Sequence, residues 1–233
     1  MLNLLYINRK NKGFILSYVL ILSALLLGYL FMIAMRVDGY EPEIFEKGYM
    51  YFMILSFVLA TMILPLWEIK ENDYLKGFID LLIFTFSAIP LIFILLMVGQ
   101  ISKGNILLPI LIQILWGIII FSMKNMLKSI KLHRTIRAFL LVICNFFVLI
   151  FSTIYLFYYS QYANLVITTI FDKDIPNIFF LNPLLSLTGI LYEQMGGSNQ
   201  MGNKPFIICF VFWGIISSVM IYLSSKIAKY QGV

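Results

Sequence analysis

Six apolar runs, at residues 14–35, 49–67, 78–98, 106–123, 138–159 and 206–225, constrain this chain before any other feature does. As helices rising about 1.5 Å per residue, they match the roughly 30 Å of hydrocarbon in a bilayer. Backbone N–H and C=O groups find no water there, so a spanning run must pair them internally as a helix. Composition agrees: of 233 residues, 61% are hydrophobic and 12% charged, and mean hydropathy is +0.95. A soluble domain of this size could not cover itself with so few polar residues. The predicted fold is an all-α membrane protein with six transmembrane helices in a single transmembrane domain, residues 1–233. The first run is too long for a signal-peptide core and lacks a small-residue cleavage pattern after it, so it is expected to remain as a span.

Charge lies between the runs and orients them. With both termini cytosolic, the inner segments hold Arg9, Lys10, Lys12, Lys70, Lys76, Lys124, Lys128, Lys131, Arg134, Arg137, Lys226 and Lys229, against Arg36, Lys47, Lys103, Lys173 and Lys204 outside. That excess predicts a multi-pass protein of the cytoplasmic membrane with both ends inside. A net charge of +6 so placed meets anionic membrane lipid and gives no reason to expect nucleic acid. In the leader 1–13, Leu2, Leu4, Leu5, Tyr6 and Ile7 precede Arg9, Lys10 and Lys12, the pattern of an N-terminal interfacial helix. Pro65 falls near the inner end of span two, where a kink or early termination is tolerable. Pro90 is expected to bend span three without ending it. Tyr155, Phe157, Tyr158, Tyr159 and Tyr162 form an aromatic belt closing span five.

Little in the chain points to catalysis. The glycines Gly196, Gly197 and Gly202 lack phosphate-loop spacing, so the chain is not expected to bind nucleotide in that way. No His and Glu pair has metal spacing, and His133, the only histidine, lies in a basic loop. Cys144 and Cys209 sit inside apolar runs and read as small buried hydrophobes. No carboxylate or histidine stands at mid-bilayer depth, which disfavours an intramembrane protease or a proton-coupled carrier. The halves show no internal repeat. Gln113 and Asn145 are the notable polar residues within spans; they could line a cavity, or join helices by hydrogen bonds.

Two stretches stand out. The loop 67–76 carries Glu68, Lys70, Glu71, Asp73 and Lys76 between the aromatic residues Trp67 and Tyr74. It reads either as a short amphipathic cytosolic helix that docks in a cleft of a soluble protein, or as a solvated connector. The stretch 177–194 is too apolar for free solution and too short to cross the bilayer. Asn182 before Pro183 fits an N-cap with proline in the first helical position, and Leu184, Leu187 and Leu191 would share one face. A re-entrant outer segment between spans five and six follows from that pattern.

This layout resembles the permease subunit of an ABC-2 type exporter, of the bacterial peptide or antimicrobial kind. In that family the loop after span two opens with acidic and basic residues, continues Gly-Thr-Leu-Glu, and runs through leucines to a proline. Glu68-Ile69-Lys70-Glu71 resembles the opening, and Leu75, Leu81 and Leu82 resemble the leucines. Asp73-Tyr74 stands where Gly-Thr is usual, Lys76 where the second glutamate is usual, and Thr85 or Ser87 where proline is usual. The resemblance implies a dimer with a second permease copy or a homologous permease, each coupled to a separate ATPase subunit that binds ATP and Mg. It implies that Trp67, Glu68, Glu71, Asp73 and Tyr74 carry the ATPase contact, and that Asn182 and Pro183 shape an outer gate. The cargo it implies is amphiphilic: a peptide, toxin or lipid-like molecule. Two other classes compete. One is the substrate-binding membrane subunit of an uptake transporter, for which Ser17, Ala24 and Gly28 on span one would be the docking residues. The other is an immunity membrane protein that needs no ATPase.

Overall fold

The computed structural model describes residues 9–36, 42–68, 74–99, 107–166, 180–195 and 202–230; the side chains of 9, 36, 42, 43, 74, 152, 153, 156, 157, 159–166 and 228–230 fall outside that description. The described elements are helical: α1 (Arg9–Arg36), α2 (Pro42–Ile63) with a 3-10 turn (Leu64–Leu66), α3 (Tyr74–Phe86), α4 (Ile89–Val98), α5 (Leu107–Ser129), α6 (Arg134–Val166), α7 (Pro183–Gln194) and α8 (Lys204–Tyr230). Six segments are long and apolar enough to cross a membrane: Lys10–Met35, Ile44–Leu66, Leu75–Val98, Leu107–Ser129, Arg134–Phe151 and Lys204–Ile227. The chain is a multi-pass, all-helical membrane protein. Residues 1–8 of the leader lie outside the described residues, and Arg9 to Gly13 form the first turn of α1 itself.

The surface identifies the solvent. Leu16, Leu27, Phe31, Phe139, Phe147, Ile207 and Ile215 are each more than half exposed on α1, α6 and α8. Such a continuous apolar surface is stable only against hydrocarbon. The inward stripes have helical spacing: Tyr18, Leu22 and Leu26 on α1, and Tyr49, Met53, Phe57, Ala60 and Leu64 along α2 and its turn. At the centre stands α5, whose spanning window is 67% buried, against 17% for α1 and 11% for α6 and α8. It packs against α2, α3, α6, α7 and most extensively α8. Gly117 of α5 allows the close approach to α3, because a Cβ there would strike the side chain of Leu81.

Span three is broken. Proline has no N–H, so Pro90 cannot bond to the carbonyl of Phe86, four residues back, and α3 ends at Phe86. The chain passes through a turn at Ser87 and Ala88, where Ala88 N–H donates to Thr85 O at 3.4 Å, and α4 starts with Ile92 N–H donating to Ala88 O at 3.1 Å. The expected bend is a two-residue turn at Ser87 and Ala88 within one crossing, Leu75–Val98. Pro65 acts similarly on α2: the helix stops at Ile63 and the 3-10 turn, with Pro65 in its first positions, delivers Trp67 in an extended conformation.

Candidate functional site

Trp67 closes the 3-10 turn by donating its N–H to Leu64 O at 3.2 Å, and its extended ψ of 137° aims the chain away from the helix axis. The indole then enters the bundle. It is completely buried, 6.4 Å from the Phe14 ring and 5.4 Å, edge-on, from Phe84, which stacks on Tyr18 at 4.4 Å. Trp67 therefore anchors the loop entry in the core and offers no surface to a partner.

The backbone beside it is gripped by three other elements. From the first turn of α1, the fully buried Asn11 donates Nδ2 to Glu68 O at 2.8 Å and accepts Glu68 N–H on Oδ1 at 3.1 Å. Near the end of α5, Lys124 Nζ donates to Pro65 O at 3.0 Å and also to Trp67 O. The Glu68 carboxylate Oε1 accepts from Lys10 Nζ of α1 at 2.9 Å and from Arg134 Nη2 at the start of α6. Those two charged donors hold its pKa below the ordinary carboxylate value. Chain segments from α1, α5 and α6 thus converge on three residues at the loop entry, Pro65, Trp67 and Glu68.

Glu71 and Asp73 lie outside the described residues. Tyr74 opens α3, and its side chain also lies outside them. Residues 69–73, where an amphipathic helix or a connector is expected, lie outside the described residues; they are flanked by the extended Trp67 and by the start of α3 at Tyr74.

Gln113 and Asn145 are buried within the bundle and tie its helices together. Gln113 Nε2 donates to Tyr18 OH at 3.0 Å, joining α5 to α1. Asn145 Oδ1 accepts from Trp116 Nε1 at 3.0 Å while its Nδ2 donates to Leu141 O at 2.8 Å, joining α6 to α5. Both amides are used for packing.

At the other end of the bundle, Asn182 caps α7. In an extended conformation it accepts from Leu184 N–H at 2.9 Å and Leu185 N–H at 3.3 Å on Oδ1, and Pro183 takes the first helical position, where no N–H is needed. Leu184, Leu187 and Leu191 are buried together, as their spacing predicts. Further bonds fix the helix: Ser186 Oγ donates to Phe180 O at 2.6 Å, Trp213 Nε1 of α8 to Leu181 O at 2.6 Å, and Tyr49 OH of α2 to Gln194 Oε1 at 3.3 Å. Asn182 and Pro183 therefore sit at the entry of a short helix wedged among α2, α5, α6 and α8.

Sequence reading missed Asn11, Lys124, Lys10 and Arg134 as holders of the loop. In the sequence all four read as leader or as orienting charge; a lone amide between two lysines in a leader is the one available signal. Among the described residues, no three His, Cys, Asp or Glu side chains come together to hold a metal ion. Comparisons with protein-family models, with curated proteins and with solved structures yield no match.

Proposed function

We propose that this chain is the permease subunit of an ATP-driven exporter of the ABC-2 type, moving an amphiphilic peptide, toxin or lipid-like molecule across the cytoplasmic membrane. One observation carries the reading: the entry to the loop after α2 is bonded to α1 through Asn11 and Lys10, to α5 through Lys124 and to α6 through Arg134. A displacement of that loop must move three spanning helices or break these bonds, which is the mechanical property a transmission element needs.

In this reading both termini are cytosolic and the leader 1–13 begins as an interfacial helix. The loop 67–76 is the cytosolic coupling segment, with Glu68, Glu71, Asp73 and Tyr74 facing a separate ATPase subunit that carries ATP and Mg. A second permease copy completes the translocation path. The segment capped by Asn182 is a re-entrant outer element: at 12 residues α7 extends only about 18 Å, short of a crossing, and it is sheltered by protein. Asn182 and Pro183 shape the outer gate from its entry. Hydrolysis belongs to the partner subunit, and this chain supplies the moving wall.

The test is the sidedness of the loop together with its partner. In a chain lacking Cys144 and Cys209, a cysteine placed at Glu71 should resist a membrane-impermeant maleimide in intact cells and react in inverted vesicles, and a soluble ATPase should co-purify with the detergent-extracted chain. Labelling in intact cells would overturn the reading.

A further inference from the structure

We infer that the basic cluster between the starts of α1 and α6 is a binding site for the phosphate of an anionic lipid headgroup. Lys10 and Arg134 approach Glu68 from two different helices, and their side chains remain 54% and 65% exposed. Arg137, three residues beyond Arg134 and so on the same face of α6, is half-buried, and its buried Nε has no hydrogen-bond acceptor among the described residues. Lys124 lies close enough that the charges of Lys10, Arg134 and Arg137 all act on it. Lys10 and Arg134 thus share the one carboxylate that the described residues place here, with Lys124 and Arg137 beside them, and a buried Nε without an acceptor leaves room for a further anion.

Guanidinium groups suit phosphate oxygens, which they can pair with in bidentate fashion. The flanking helices decide the source of that phosphate. Leu16 and Leu20 on α1 and Phe139 and Leu140 on α6 are exposed within three turns of the cluster, so a molecule with acyl chains below its phosphate gains contacts that free phosphate does not. Because the phosphate and Glu68 draw on the same donors, Lys10 and Arg134, the headgroup competes with the carboxylate.

The purified chain in phosphatidylcholine nanodiscs is titrated with phosphatidylglycerol and, separately, with inorganic phosphate, occupancy being read by native mass spectrometry. Phosphatidylglycerol should be retained, with about five-fold weaker binding for each of Arg134→Gln and Arg137→Gln. Glu68→Gln should bind more tightly, and Lys226→Gln, an exposed base outside the cluster, should match the unaltered chain. Arg134→Gln alters a largely exposed side chain and serves should Arg137→Gln fail to fold. Unchanged binding in Arg134→Gln, or an equal loss in Lys226→Gln, would overturn the site; inorganic phosphate binding as well as the lipid would overturn the lipid as its occupant. No ATPase enters this experiment, so its failure leaves the exporter reading standing.

Discussion

Asn11 and Glu68, 57 residues apart, hold each other by two reciprocal hydrogen bonds, side-chain amide to backbone carbonyl at 2.8 Å and backbone N–H to side-chain oxygen at 3.1 Å. The amide imitates a peptide group and fixes the loop entry to α1 as a strand neighbour would. Replacing it leaves two backbone groups to be satisfied by water that the buried site does not admit freely.

Asn11→Leu should therefore destabilise the chain by about 1–3 kcal/mol, the cost of stranding buried polar groups. Thermal unfolding in detergent is expected to show a clear drop in midpoint. Asn11→Asp should also lose stability, because it keeps the acceptor for Glu68 N–H but sets a carboxylate against Glu68 O. A midpoint unchanged in both would mean that the reciprocal pair does not hold the loop.

Acid should loosen the same junction. Hydrogen bonds from Lys10 and Arg134 lower the Glu68 pKa from its ordinary 4.5, so the folded state binds its proton less readily than the unfolded chain. The stabilising contribution is complete above pH 4.5 and fades as pH falls below it through the lowered folded-state value; between pH 6 and 8 it is constant. Unfolding midpoints measured down to pH 3 should show this step in the unaltered chain and a smaller one in Glu68→Gln. Because the carboxylate is 27% exposed, added salt should shrink the difference. Identical acid limbs in the two proteins would count against the clasp.

The Asn182 cap makes a separate prediction. Asn182→Ala removes the acceptor for Leu184 N–H and Leu185 N–H, a loss of about 1 kcal/mol at a helix N-terminus, whereas Asn182→Asp or Asn182→Ser retains it. Hydrogen exchange over α7 should accelerate in the alanine variant and stay near the original rate in the other two.

Inside the bundle, the Gln113 to Tyr18 bond should register as a coupling. Gln113→Leu and Tyr18→Phe each break it, and a double-mutant cycle should return about 0.6 kcal/mol, within an upper bound of about 2 kcal/mol for hydrogen bonds between membrane helices. Strict additivity would show that the two side chains are neighbours without being partners.

Much of this architecture is legible in the sequence, because bilayer thickness and backbone pairing leave an apolar run of the right length few alternatives. The Asn182 cap is legible for the same kind of reason, since asparagine followed by proline satisfies the local demands of a helix start. What hydropathy does not encode is which apolar face meets protein and which meets lipid: the runs that become the central α5 and the peripheral α6 are equally oily. Trp67 shows the difficulty. Its position at a span end marks it as an interfacial ring, yet the Pro65 turn redirects the chain and buries it against Phe14 and Phe84. The loop's holders escaped notice because each bond joins residues more than fifty positions apart, and nothing in local spacing links Asn11 or Arg134 to Glu68, or Lys124 to Trp67.

Reversal of charge in the loop beyond that junction examines the central claim most directly. On the proposed exporter reading, with the ATPase expected to co-purify reconstituted alongside the chain, Glu71→Lys and Asp73→Lys should each abolish transport-linked ATP hydrolysis while the chain still inserts in the membrane at its normal level. Hydrolysis and transport that persist in both variants would contradict the proposal that force enters the bundle at this loop.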